Sequence, residues 1–199
     1  MPADTHTYFL LRWEVLDGYC AIFNFADGMK QTFKPATGVR MGDAYPQGAR
    51  FKMAKEERGL KIADVIPNAV GYFMVSAKMK ELLEKHSGAE IEFLRFTLLN
   101  HRGKVASEDC YIANVIGTRD CVDMEKSDGD RNALMPHRFM YVRRLILTED
   151  KVDPQARLFR TTTVPQVMII RDDLKEILEK EGITGPTFYP MGSNVAFTP

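Results

Sequence analysis

The chain has 199 residues, 45% of them hydrophobic and 27% charged, enough to bury a core without covalent staples and too apolar a mixture for a disordered chain. Lysine plus arginine and aspartate plus glutamate both total 27, so no net charge draws the molecule as a whole to nucleic acid or to an anionic membrane. The three cysteines, Cys20, Cys110 and Cys121, are odd in number and widely spaced, a poor disulfide framework.

The opening MPADTHTYFLLRWEV has no basic segment followed by a long apolar run, and no stretch reaches the length of a membrane span. The expected location is therefore the cytoplasm, with reduced thiols. Residues 7–15 are aromatic and β-branched enough for a strand. Asp17-Gly18 and Asp27-Gly28 then read as hairpin turns joining it to strands over 19–25 and 29–33, so an antiparallel β-meander is expected to open the chain. Trp13, on the first strand, is expected to pack in the core. Residues 35–48 are rich in Gly and Pro and read as a long loop, either functional or mobile. Residues 50–53 suggest a short strand, and 60–69 are ambiguous.

The clearest periodicity follows. Residues 72–75 read as a strand and Ser76 as an N-cap. Val75, Met79, Leu82 and Leu83 share a helix face, and Ser87-Gly88 ends the helix. Residues 91–99 alternate as a strand. The same order recurs near the C-terminus: a strand over 167–170, a helix with Leu174, Ile177 and Leu178 on its apolar face, and Gly182 as its stop. KELLEK at 80–85 matches KEILEK at 175–180, an offset of 95 positions (175 minus 80), and this offset aligns the preceding strands too. Between the copies lie a strand over 110–116, an acid-rich segment to Asp130 and a strand-like run over 138–147. A strand is expected over 158–163 and an edge strand over 187–189, and residues 191–199 read as a tail. The expected class is α+β with largely antiparallel sheet, in one domain over 1–199, with 1–53 as meander and long loop.

Motifs of chemistry are few. The sequence has no phosphate-binding Gly-Lys-Ser/Thr loop, no dinucleotide glycine fingerprint and no Gly-x-Ser-x-Gly elbow. His6, His86, His101 and His137 do not pair at zinc-ligand spacing, and His86 suits the C-terminus of a helix. Cys110 and Cys121 read as buried thiols rather than a redox pair or metal ligands. Asp120, Asp123, Glu125, Asp128 and Asp130 lack the order of a calcium loop and are interleaved with Arg119, Lys126 and Arg131. They read as a solvated loop able to face a basic surface on a partner protein. No catalytic, cofactor or metal residue is assigned, and no cofactor is expected.

The strand Tyr111-Ile112-Ala113-Asn114-Val115, followed by Asp120-Cys121-Val122-Asp123, resembles the motifs of a bacterial immunity-protein family, the immunity protein eleven type, encoded beside secreted polymorphic toxins. The likeness extends to Met74-Val75-Ser76 with its helix, to Leu158-Phe159-Arg160, and to the second strand and helix with Gly182-Ile183-Thr184-Gly185 and Phe188, covering about 71–191. Cys110 stands where that family often has Tyr, and 101–109 and 130–137 do not align.

The resemblance implies a protein that binds and neutralises a cognate toxin, encoded upstream, and implies no reaction. The missing leader points to a toxin acting in the cytoplasm. Occlusion is the expected mechanism, with Asp120, Asp123, Glu125, Asp128 and Asp130 facing the toxin and Tyr45 as an exposed aromatic anchor. Nucleic acid and membrane are not expected partners, and the sequence leaves monomer or homodimer open. Two other readings stand beside it: a small enzyme reversing a toxin's modification, and an oligomeric interaction module with no toxin.

Overall fold

A computed structural model describes residues 6 to 198. The first of two four-stranded sheets runs, edge to edge, β2 (Arg50–Lys52), β4 (Ile91–Leu99), β5 (Val105–Val115) and β3 (Met74–Ser76). The second runs β10 (Pro186–Pro190), β1 (Tyr8–Trp13), β9 (Met168–Arg171) and β8 (Leu158–Phe159). A separate hairpin joins β6 (Asp128–Arg131) to β7 (Phe139–Arg144). Only β2 with β4 is parallel among these ladders. With helices α1 (Phe33–Thr37), α2 (Ala77–His86) and α3 (Asp172–Lys180), the α+β class holds. Among the described residues, no helix is long and apolar enough to cross a membrane.

The N-terminal meander does not form. Asp17-Gly18 and Asp27-Gly28 do turn the chain, with Gly18 and Gly28 at φ 77° and 78°, but the strands they were expected to join find other partners. Leu10 and Leu11 are both buried, one on each face of β1, so β1 needs neighbours that are apolar on both faces. It finds them in β9, where Leu10 lies opposite Ile169 and Phe9 opposite Ile170. Cys20, Ala21 and Ile22 are buried in succession, without the alternation of a half-exposed strand. They make isolated bridges instead, Tyr19 with Lys61 and Ile22 with Asn68. Residues 29–32 form no strand and lead into α1, which includes Phe33.

Each long helix is specified locally. Ser76 caps α2 by accepting the amide of Met79 at 3.2 Å, and Met79 and Leu83, one turn apart, are fully buried. Each of those side chains contributes about 1.5–3 kcal/mol of burial. In α3 the buried pair is Leu174 and Leu178, and Gly182 at φ 65° stops the helix, its amide reaching Glu179. The 95-residue offset survives in three dimensions. In the first unit β5 lies between β3 and β4, with Tyr111 opposite both Val75 and Arg95. In the second, β1 lies between β9 and β10, with Phe9 opposite both Ile170 and Pro190, the residues 95 positions beyond Val75 and Arg95. Lys80 pairs with Glu84 and lies over the rings of Phe93 and Tyr111, while Lys175 pairs with Glu179 and lies over Phe188 and Phe9. The repeat is thus strand–helix–strand–strand, and the N-terminus supplies the last strand of the second copy.

Side chains from one face of each sheet and from both helices share a central core that includes Leu11, Phe73, Ala113, Met168 and Ile170. Trp13 stacks on Phe73 at 6.2 Å and its indole donates to the carbonyl of Asn68. The other face of the first sheet packs under the irregular segments around Cys20, Met41, Met53 and Ile66. The other face of the second packs under residues 121–167 and Phe197. The C-terminal segment is therefore no tail: Phe197 is buried and exchanges two backbone hydrogen bonds with Val142. Pro199 and residues 1–5 lie outside the described residues. The expected strand over 158–163 is only β8, followed by a bridge from Thr161 to Arg119.

The long 35–48 segment is held at several points. Asn114, fully buried, donates to the carbonyl of Val39 at 2.9 Å and to Glu92 at 2.9 Å. Glu92 accepts the amides of Met41 and Gly42, which begin a single 3₁₀ turn, Gly42–Ala44. Burial works against the Glu92 charge, but those amides and Asn114 outweigh it and hold the carboxyl below its usual range. Arg160, 0% exposed, donates to the carbonyls of Val115, Ala36, Pro165 and Pro35 at 3.0, 2.8, 2.6 and 2.9 Å. Burial pushes its pKa down to about 9, which leaves the guanidinium charged at neutral pH.

Candidate functional site

The acid-rich segment and the hairpin after it form one structured surface element. Cys121 and Val122 are buried beneath it, and Val122 bridges to Leu147. Asp123 then turns the chain: its carboxylate accepts the amides of Glu125 and Lys126 at 3.1 and 3.0 Å and pairs with the Lys126 ammonium at 3.4 Å. The Lys126 amide is the main reason that the Asp123 carboxyl sits below its usual range.

In the hairpin Asp128 lies opposite Arg144, Gly129 opposite Val142, Asp130 opposite Tyr141 and Arg131 opposite Phe139. A Cβ at Gly129 would meet the Tyr141 carbonyl oxygen at 2.3 Å, so the close approach of the strands requires glycine there. Phe139 and Val142 point into the core under the second sheet, and the far edge of β7 is occupied by the backbone of Val195 and Phe197. Arg143 bridges Asp128 at 3.3 Å and Asp130 at 2.8 Å and lies over the ring of Tyr141. The hydrogen bond that Arg143 donates to Asp130 foremost, then the Asp130 charge, strengthens the Arg143 cation.

The tip is ordered by its own backbone. The Asn132 side chain accepts the amides of Leu134 and Met135 at 2.8 and 3.0 Å, and the amides of Asn132 and Arg138 close the loop onto Arg138 and Met135. Leu134 stands 91% exposed at this tip, and Met140 on β7 is 58% exposed.

The sequence-expected contact residues divide accordingly. Asp128 and Asp130 share one arginine, and Asp123 shapes its turn. Asp120 and Glu125 are exposed, with no ion pair among the described residues. Tyr45 lies away from them: it packs half-buried against the core of the first sheet, and its hydroxyl donates to the Arg95 carbonyl at 3.1 Å. Burial raises its pKa well above the usual phenol range. The apolar tip went unread in the sequence, although Ala-Leu-Met between Asn132 and Pro136 is an unusual run for a solvated turn.

Among the described residues, one trio of metal-capable side chains comes together, His6, Asp172 and Asp173. Its carboxylates are already used. Asp172 accepts the amide and hydroxyl of Thr7 and contacts His6, and Asp173 binds Arg171 and Arg157. They secure the N-terminus of α3. The three cysteines are free and buried, with burial raising each thiol pKa, to about 11 for Cys20 and Cys121.

The residues that carry the family-like motifs now have physical roles: Asn114 and Arg160 pin the 35–48 segment, Asp123 makes the turn before the hairpin, and Phe188 completes the second lysine–aromatic contact. No curated protein shows significant similarity to the chain. The model of the immunity protein family (Imm11) matches residues 15–193, and the chain belongs to that family.

Proposed function

We propose that this protein binds a cognate secreted toxin directly and neutralises it by covering the toxin's working surface, with no chemistry of its own. Family membership supplies the immunity role in general terms. The observation that favours direct occlusion is the β6–β7 hairpin, anchored in the core at its base and ordered by Asn132 at its projecting tip. A surface ordered before contact forgoes the entropy cost of ordering during it, which favours tight capture. The proposed contact face is the turn carrying Asp120 and Glu125 together with that hairpin, including Asp128 and Asp130 through Arg143.

The clefts favour binding over catalysis. One, about 440 Å³ between the 42–48 segment and β4, has Asp43 and Arg95 as its charged lining, and Arg95 is already paired with Asp109 at 2.8 Å. The proposed encounter is in the cytoplasm, a setting in which the three buried thiols would stay reduced.

The test is to express the reading frame immediately upstream alone in a sensitive host, then with this protein, and to follow growth and co-purification. Toxicity alone, with rescue and co-purification on co-expression, supports direct occlusion. Rescue without any complex overturns it in favour of a reaction that undoes the toxin's effect. A harmless upstream product overturns the assignment of that partner.

A further inference from the structure

We infer that the hairpin tip is the anchor of the toxin contact, with Leu134 seated in an apolar pocket on an acidic face of the toxin. This rests on the binding reading above and specifies its chemistry, with the opposite sign of partner charge from the one the acidic sequence suggests.

Two observations carry it. First, the hairpin itself is cationic: residues 128–144 hold Arg131, Arg138, Arg143 and Arg144 against Asp128 and Asp130, whereas the acids with no ion pair among the described residues, Asp120 and Glu125, lie in the turn before it. Asp128 and Asp130 share Arg143, which offsets one of their two charges, and Asp123 is held by Lys126 and two amides. From Arg131 to Arg144 the sequence has Arg131, Arg138, Arg143 and Arg144, and no acid. Arg131 and Arg144 are exposed and use backbone carbonyls, of Met124 at 2.9 Å and Lys126 at 3.5 Å, with no carboxylate partner among the described residues. A hairpin with Arg131 beside its tip and Arg144 at its base, neither paired with a carboxylate among the described residues, fits a carboxylate-rich surface, because Arg binds carboxylates in a planar, two-pronged way.

Second, a leucine left 91% exposed on a backbone fixed by two amide-to-Asn132 bonds loses little freedom when it enters a pocket. A central apolar residue ringed by charged groups is the arrangement in which a few side chains dominate an interface.

The experiment measures binding of the full chain to the purified product of the upstream reading frame, inactivated where needed, by surface-based kinetics at two salt concentrations. Leu134→Ala is expected to weaken binding at least tenfold, mainly through faster dissociation, and Leu134→Asp to weaken it further. Arg131→Glu is expected to slow association and flatten its salt dependence, and Glu125→Lys to quicken association. Thermal unfolding is expected to be unchanged for the Leu134 and Glu125 variants, whose side chains are exposed, and at most slightly lowered for Arg131→Glu, which gives up its bond to the Met124 carbonyl.

If the unaltered chain binds and Leu134→Ala stays within twofold of it, this inference falls while the binding reading stands. Faster association for Arg131→Glu overturns the acidic-face assignment in the same way. Absence of binding by the unaltered chain overturns both.

Discussion

Replacing Arg160 with Met tests the inner clamp of the fold. The substitution keeps much of the side-chain volume and so keeps water out, but it removes every donor that serves the carbonyls of Val115, Ala36, Pro165 and Pro35. A buried acceptor left without a partner costs about 1–3 kcal/mol. Even at the low end, four of them amount to about 4 kcal/mol, partly offset because the buried cation no longer has to be desolvated. Against a total stability of about 5–15 kcal/mol, that is a large share. We propose that the chain unfolds as one domain, in a single transition in urea. The midpoint of Arg160→Met should then fall by roughly 1–2 M at an unchanged slope. Arg160→Lys keeps the charge but gathers its donors on one nitrogen, too compact to span four carbonyls, and should fall in between. A loss below about 1 kcal/mol for the Met variant, or a Lys variant as stable as the parent, would refute the reasoning.

Three further outcomes are expected. Gly38→Ala should destabilise by about 1–3 kcal/mol in the same assay, because Gly38 sits at φ 77° and a Cβ there would meet the Val115 and Gly117 carbonyls at 2.8 and 2.9 Å. The Arg171 hydrogen bond lowers the Asp173 carboxyl from 3.8 to about 2, so its stabilisation is complete above the unfolded value and disappears as pH falls towards about 2. Asp173→Asn should cost about 1–2 kcal/mol at neutral pH and flatten the acid limb of the stability profile in that window. Cys20, Cys110 and Cys121 should resist a thiol reagent at pH 8 in the native protein and all react once it is unfolded; a thiol that reacts at once in the native state would contradict its burial.

What was legible in the sequence was whatever is decided within about a dozen residues. Ser76 and the spacing of Met79 and Leu83 specify α2, and Gly182 ends α3 as expected. The Asp17-Gly18 and Asp27-Gly28 turns also form, but a turn does not choose the partner of a strand. β1 pairs with residues 168–171 and 186–190, and that choice was settled by burial on both of its faces. The same distance hid Asn114, which serves a carbonyl 75 positions away, and Arg160, which serves two that are 124 and 125 away. In the proposed contact face the acids were visible and their pairing was not, because it depends on Arg143 crossing the hairpin to Asp128 and Asp130.

The origin of β1 sets a timetable for synthesis. The first unit, from β3 to β5, is continuous in the chain and can close while the rest is still on the ribosome. β1 leaves the ribosome before the other described strands, yet residues 14 to 167 must be made before its first neighbour, β9, appears. Through that interval Leu10 and Leu11 have no ladder to join, on a strand that ends up with a partner on either side. Two halves of one architecture therefore mature at different times: the first closes locally and early, and the second waits for β9 and β10 to reach β1.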